Sequence, residues 1–297
     1  MSKQGCLVVR LGAIGDTILA VPALASLRRR FGRVVLVGSM PALTLLEGVV
    51  DRLIGVESPE AAALFDPSGR HDAAFLEAAG PLAGAVVWLR SPARVVAALR
   101  RLGISPLVVA PSLPAGPVHV VDHLLTTVDA TPGALVELPV PEPCRDEAAA
   151  ALAARGVTSA GTILLPGAGS NAKRWPVERF AALAGRISGP VAAIGGPADT
   201  EPLAILRALL PALPVVDDLP LRLLPAGLAG AAAVVANDSG PAHLAAAVGA
   251  PLVSLFGPTD PTVWAPRGPR VIIRRAPDGK MDDLTLNLVL SALDQLK

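Results

Sequence analysis

The stretch VVANDSGPAHLAAA, residues 234–247, decides the fold because its pattern is that of a buried strand, a tight turn and a helix that begins on the turn. Asp238, Ser239 and Gly240 stand where the strand ends. The helix that follows presents unpaired N–H groups and the positive end of its dipole to the same place. Such a turn binds anions, and its small residues let a diphosphate approach the backbone. The alternative is an ordinary strand-to-helix turn of an α/β protein.

Outward from this stretch, the chain alternates short apolar runs with helical segments in two series. Continuous apolar strands indicate parallel sheets covered on both faces, and the alternation is typical of doubly wound α/β folds. The predicted strands are Cys6–Arg10, Val34–Gly38, Leu53–Val56, Ala85–Leu89 and Leu107–Ala110, then Gly161–Leu165, Val191–Ile194, Val215–Val216, Ala232–Ala236 and Leu252–Phe256. An amphipathic helix is predicted over 282–296.

A proline-rich segment, Leu138–Pro143, separates the two series and has the composition of an interdomain linker. We therefore predict two domains, residues 1–143 and 144–297. Ligands of open parallel sheets bind at the carboxyl ends of the strands, so a cleft between the two domains is the expected site.

Composition excludes several classes of protein. Lys and Arg number 26 against 25 Asp and Glu, and aromatic residues make up 3%, which argues against a nucleic-acid partner. Cys6 and Cys144 have no metal-binding or redox spacing and are expected to be inert thiols in a reducing cytoplasm. We predict no signal peptide and no transmembrane segment, because glycine and proline interrupt the apolar runs.

Two further loops fall at the predicted carboxyl edges. In RLGAIGD, residues 10–16, two glycines bracket a tight turn, and Asp16 is either a helix cap or a general base. This loop lacks the full glycine fingerprint of a dinucleotide site. In PGAGSNAKRWP, residues 166–176, the glycines free the backbone and Lys173 supplies a mobile cation for phosphate. The alternative is that Lys173 is a solvated surface cation and Trp175 a core residue.

The motifs together resemble glycosyltransferase family 9, the ADP-heptose heptosyltransferases of lipopolysaccharide synthesis. The resemblance spans nearly the whole chain in order and is carried by residues 9–16 with 22–24, 165–168 with 173–176, 237–243, 249–251 and 256–261. It implies a GT-B fold, in which two doubly wound Rossmann-like domains face a central cleft and a C-terminal helix packs back across the domains.

The resemblance also implies a donor site in the C-terminal domain for an ADP-linked sugar, with no metal and no other cofactor. The backbone at Leu219 would meet the adenine, and Asp199 or, as the weaker candidate, Glu201 would meet the ribose, with helix capping by Asp199 as an alternative. A buried core histidine is the alternative for His243. The donor residues carried over are Ala168, Gly169, Lys173, Asp199, Leu219, Asp238, Ser239, Gly240 and His243.

Asp16 matches the catalytic aspartate of that family and would act as the base of an inverting transfer. The candidate acceptor residues are Gly15, Arg10, Arg70 and Arg90, although the three arginines could equally be solvated surface charges. The family carries a segment rich in Lys and Arg after the third strand, whereas this chain has DAAFLEAAG at residues 72–80. The identity of the acceptor stays open for that reason.

The function implied is transfer of heptose from ADP-heptose to a lipopolysaccharide core or a related cell-envelope glycan. The acceptor would be anchored in lipid, and the enzyme would be cytoplasmic, working at the inner membrane surface. The alternatives are another nucleotide-sugar enzyme with a different donor, an epimerase, a hydrolase or a dehydrogenase, and a binding protein without catalysis.

Overall fold

The computed structural model describes residues 4–157 and 161–296. The chain divides into two compact units, Met1–Ala134 and Leu135–Lys297, and each unit contains one parallel sheet. The α/β prediction is confirmed. The longest helix of the described residues has 12 residues, and none has both the length and the apolar composition needed to cross a bilayer.

The N-terminal unit has a five-stranded sheet in the order β3-β2-β1-β4-β5. The chain starts in the middle of the sheet and builds first to one side and then to the other, so the strand order reverses between β1 and β4. The elements are β1 (Gly5–Arg10), α1 (Ile14–Leu19), α2 (Val21–Phe31), β2 (Val34–Gly38), β3 (Arg52–Gly55), α3 (Asp72–Ala79), β4 (Leu82–Trp88), α4 (Ala93–Arg101), β5 (Leu107–Ala110) and α5 (Val120–Thr127).

Strand β1 shows why the unbroken apolar runs become central strands. All six of its residues are buried between helices, and it pairs in parallel with β2 and β4. Cys6 lies on this strand, and burial raises the pKa of its thiol to about 12. Pro22 lies in the first turn of α2, where the missing N–H of proline breaks no helical hydrogen bond. The chain therefore forms two helices here, α1 and α2.

The C-terminal unit has a six-stranded sheet in the order β11-β10-β9-β6-β7-β8, with the strand order reversing between β6 and β9. The elements are α6 (Glu142–Ala153), β6 (Thr162–Leu165), α7 (Val177–Ala184), β7 (Val191–Ile194), α8 (Thr200–Leu209), β8 (Val215–Val216), α9 (Leu224–Ala229), β9 (Ala233–Asn237), α10 (Gly240–Ala247), β10 (Leu252–Phe256), α11 (Pro261–Trp264), β11 (Val271–Arg275) and α12 (Leu286–Gln295).

The segment predicted as a linker is part of the C-terminal unit. The Val136 amide donates to the Arg267 carbonyl at 3.3 Å, and the Leu138 amide donates to the Ala247 carbonyl at 2.8 Å. Both side chains are buried. The two units consequently divide after Ala134, nine residues before the boundary expected from composition.

The C-terminal helix begins four residues later than predicted, at Leu286. The family resemblance implies that this helix packs back across the domains. In the structure its buried side chains belong to the core of the C-terminal unit, which also holds Trp175 and Phe180 with their rings edge to face at 5.0 Å. The buried residues of α12 are Val289, Ala292 and Leu293.

Two leucines of α12 give a matched test of this packing. Leu293→Ala removes a side chain that is 7% exposed and should lower the free energy of unfolding by about 2–5 kcal/mol. Leu288→Ala removes the same atoms from a residue that is 43% exposed and should cost less than about 0.5 kcal/mol. Urea unfolding of both variants checks this, and equal losses would contradict the placement of the helix.

Candidate functional site

The C-terminal unit has a partly buried ion pair at the point where its strand order reverses. Asp238 follows β9 and Lys173 belongs to the loop after β6, and these two strands are paired neighbours. Lys173 Nζ lies 2.8 Å from Asp238 Oδ2, with the side chains 30% and 5% exposed. The Thr259 hydroxyl, from the loop after β10, donates to the same oxygen at 2.6 Å. The sequence-predicted Lys173 and Asp238 are thus brought together, and Asp238 holds the ammonium group in place.

Asn237 fixes the loop that carries Lys173. Its Oδ1 accepts from the Trp175 amide at 3.0 Å, and its Nδ2 donates to the Pro166 carbonyl at 2.8 Å. Asn237 is fully buried, so both ends of the loop are tied to β9 by groups that have no water as an alternative partner. Trp175 is anchored further by its indole N–H, which donates to the Leu284 carbonyl at 2.7 Å.

Helix α10 begins at Gly240, directly after the strand and turn, as the pattern of residues 234–247 predicts, and its first residue lies two positions after Asp238. Ser239 is extended and precedes the first helical residue, Gly240. The buried Ser239 Oγ has no hydrogen-bond partner within the described part of the chain. His243 is 5% exposed and lies in the first turn. A lysine, a free hydroxyl and a helix N-terminus at one point form an arrangement suited to an anion.

The glycine loop after β6 packs closely on Asp199. The Gly196 amide donates to Asp199 Oδ2 at 2.9 Å, and a Cβ on Gly167 would collide with the Asp199 carboxylate. Nothing within 4 Å would meet a Cβ on the exposed Gly169, and Ala168 between them is half-buried. Asp199 therefore lies against the loop of residues 166–176, and its carboxylate also closes the turn that starts at Gly196.

Glu201 and Leu219 have different surroundings. Glu201 pairs with Arg174 at 3.0 Å and is 72% exposed, whereas Asp199 packs against Gly167 at the start of the same loop. Leu219 follows the carboxyl end of β8, and its side chain packs on a small cluster formed by Ala148, Leu223 and Ala226.

In the N-terminal unit, Asp16 lies in the first turn of α1, after the carboxyl end of β1. Its Oδ2 accepts from the Ala13 amide at 3.2 Å, and its side chain is 32% exposed. Gly12 has no room for a side chain, because a Cβ there would lie 2.8 Å from Asp16 Oδ2. The carboxylate is consequently held at the strand end while part of it faces solvent. Gly15 occupies the same turn and is half-buried.

Arg10 differs from its predicted role as an acceptor contact, because the residue is 4% exposed. Its Nε donates to the Asp16 carbonyl at 2.9 Å and its Nη1 to the Ser112 carbonyl at 3.1 Å, while Nη2 lies 3.5 Å from Asp16 Oδ1. Burial lowers the pKa of Arg10, and the charge of Asp16 opposes that shift. Arg10 is a positioning residue for the Asp16 turn.

The other predicted acceptor arginines lie at opposite edges of the N-terminal sheet. Arg90 is exposed two residues after β4, which pairs with β1, so it shares the carboxyl edge with Asp16. Arg70 donates to Ser68 at 3.1 Å and pairs with Asp66 at 3.5 Å. That loop is held by Arg101, whose guanidinium donates to the Asp66 carbonyl. Since Arg101 ends α4 and leads to the amino end of β5, Arg70 lies away from Asp16.

Three residues at these edges were not singled out from the sequence. Arg94 is exposed in the first turn of α4, four residues after Arg90. Asn237 holds the loop that carries Lys173, and Thr259 donates to Asp238, both through contacts distant in sequence. Only Arg94 had a local signal, its spacing of four residues from Arg90. Among the described residues, no three His, Cys, Asp or Glu side chains are grouped to hold a metal ion, and the expected absence of a metal requirement stays a prediction.

The sequence pattern of glycosyltransferase family 9 (heptosyltransferase) matches residues 115–289, more than half of the chain. Lipopolysaccharide heptosyltransferase 1 of Escherichia coli O18:K1:H7 is 31% identical over 127 residues, which are 41% of this chain and 39% of that protein. The chain thus spans about two fifths of the length of this curated relative.

Two solved structures share the fold over nearly their whole length. The glycosyltransferase family 9 protein of Veillonella parvula has a TM-score of 0.81 at 20% identity, covering 100% of this chain and 98% of that one. The E. coli ADP-heptose lipopolysaccharide heptosyltransferase II has a TM-score of 0.79 at 20% identity, covering 99% and 98%. The predicted GT-B class, with two Rossmann-like domains, is confirmed.

Asn237 offers a test of how the loop after β6 is held. Asn237→Ala leaves the Trp175 amide and the Pro166 carbonyl buried without their partner and should lower the free energy of unfolding by about 2–4 kcal/mol. Asn171→Ala, at an exposed position of the same loop, is the matched control and should change it by less than about 0.5 kcal/mol. Urea unfolding checks both, and an undisturbed Asn237 variant would contradict the buried tie.

Proposed function

The chain belongs to glycosyltransferase family 9, the heptosyltransferase family, and we propose that it transfers heptose from ADP-heptose onto a lipopolysaccharide core or a related cell-envelope glycan. The observation that carries this proposal is the Lys173–Asp238 pair at the N-terminus of α10. The similar E. coli protein is described as an ADP-heptose lipopolysaccharide heptosyltransferase, which supports the choice of donor.

The donor diphosphate binds where the C-terminal sheet reverses its strand order. Lys173 neutralises it, and the first N–H groups of α10 with the Ser239 hydroxyl donate to its oxygens. Gly240 keeps this approach open, and His243 lies within the same turn. Asp238 acts indirectly, because its carboxylate would repel a phosphate but holds the Lys173 ammonium at 2.8 Å.

The nucleoside extends from the diphosphate along the carboxyl ends of β7 and β8. Asp199 meets the ribose diol, and the backbone at Leu219 contacts the adenine. Ala168 and Gly169 complete the donor loop, where the space beside Gly169 lets the ligand approach the backbone. These roles rest on the position of each residue at one sheet edge.

Asp16 is the general base of an inverting displacement. It takes the proton from an acceptor hydroxyl as that oxygen bonds to the anomeric carbon, while the bond from this carbon to the ADP oxygen breaks. The leaving ADP keeps the electron pair, and Lys173 with the α10 N–H groups stabilises the charge that develops. The acceptor is anchored in lipid, the enzyme works at the cytoplasmic membrane surface, and Arg90 with Arg94 contacts anionic groups of the acceptor.

A thermal shift assay tests the donor site. ADP should raise the melting temperature more than UDP, GDP and NAD do. A ligand present at about 100 times its Kd stabilises the folded state by about 2.7 kcal/mol, so a nucleotide that binds more weakly at the same concentration gives a smaller shift. Lys173→Gln should reduce the shift caused by ADP by at least about threefold, measured against the melting temperature of the same variant without ligand.

Arg186→Gln is the control for that variant. Arg186 is exposed between α7 and the amino end of β7, at the edge of the sheet opposite the ion pair, so its substitution should leave the ADP shift unchanged. A preference for UDP or NAD would contradict the proposed donor, and equal ADP shifts in both variants would contradict the role of Lys173.

Asp16→Asn tests the base. The amide cannot accept the proton, so transfer from ADP-heptose, followed as ADP release in the presence of a deacylated lipopolysaccharide acceptor, should fall by about 10²–10⁴-fold. Asp146→Asn, at an exposed position of α6, should keep full activity. A folded Asp16→Asn variant that retains transfer and binds ADP normally would remove Asp16 from the chemistry.

A further inference from the structure

A cavity of about 470 Å³ lies at the carboxyl edge of the N-terminal sheet, beyond β2 and β3. This volume is within the range of about 300–1,000 Å³ typical of sites for small ligands. The walls combine carboxylates from Glu47 and Glu57, hydroxyl groups from Thr44 and Ser58, and apolar surface from Met40. None of the roles assigned above uses this cavity.

The cavity adjoins the turn that carries Asp16. Ser39 follows β2 and its hydroxyl accepts from the Gly12 amide at 3.4 Å, and Gly12 itself packs directly on Asp16. Met40, the next residue, forms part of the cavity wall. Ser39 therefore links the cavity wall to the turn that holds the proposed base.

The chemistry of the walls restricts what the cavity can take. Its charged lining side chains are the two glutamates, which attract hydroxyl donors and repel phosphate and carboxylate groups. Glu57 Oε2 accepts from the Met40 amide at 3.4 Å, so the carboxylate is oriented and keeps capacity for further donors. Met40, 50% exposed, offers an apolar surface for the C–H face of a sugar ring.

We propose that this cavity is an acceptor subsite for an uncharged, hydroxyl-rich sugar ring, and that Glu57 is the residue that selects it. The inference rests on the proposed function and adds the chemical class of the acceptor end. Anionic groups of the acceptor would then lie toward Arg90 and Arg94, on the β4 side.

Two isosteric probes test the subsite in the full chain without donor: methyl glucoside, which is neutral, and methyl glucuronide, which carries a carboxylate. NMR titration should show the wild type binding the glucoside about three- to fivefold more tightly, the modest ratio expected at an exposed charge. Glu57→Arg should reverse the order of preference, and Glu57→Gln should bring the two affinities close together.

Glu77→Arg is the matched control, because Glu77 is exposed on α3 and does not line the cavity. It should keep the preference of the wild type. Equal binding of both probes by the wild type, a preference for the glucuronide, or identical behaviour of the two arginine variants would overturn the proposal. The ADP shift, measured on the same samples, separates the outcomes: loss of sugar selectivity with normal ADP binding rejects only the subsite.

Discussion

The burial of one carboxylate, Asp238, organises the edge of the C-terminal sheet. A carboxylate that is 5% exposed requires a cation and hydrogen-bond donors, since an unpaired buried charge is strongly unfavourable. Lys173 and Thr259 meet this need from the loops after β6 and β10, so these two loops converge on the turn after β9. The mobile lysine side chain is thereby held at the start of α10, where an anion would be placed.

The N-terminal unit applies the same principle with the charges exchanged. Its buried member is a guanidinium, Arg10, and the partly exposed member is a carboxylate, Asp16. The buried charge in each unit orients the exposed one, and both pairs lie where the strand order reverses. One unit thus offers a cation suited to a leaving diphosphate and the other a carboxylate suited to accepting a proton, which are the two opposite demands of glycosyl transfer.

The fold was predictable where burial is complete on both faces of a strand. The runs at β1 and β9 are continuously apolar, and their strands lie within one residue of the prediction. Strand β11 was missed because it is a half-buried edge strand that ends in two arginines. The unit boundary was displaced because Val136 and Leu138 make backbone hydrogen bonds to residues more than 100 positions away, which local composition does not reveal.

The candidate site was predictable as a set of loops but not as a set of contacts. Arg10 and Arg90 illustrate the limit, since both are arginines near the ends of paired strands β1 and β4. Arg10 is the last residue of its strand and turns under the next helix, where it has to be paired. Arg90 lies two residues beyond its strand and stays exposed. Arg10 and Arg90 differ by two positions relative to the ends of their strands, and with that difference one is a buried positioning residue and the other a surface cation. The residue type at a strand end therefore predicts a charge but not the role of that charge.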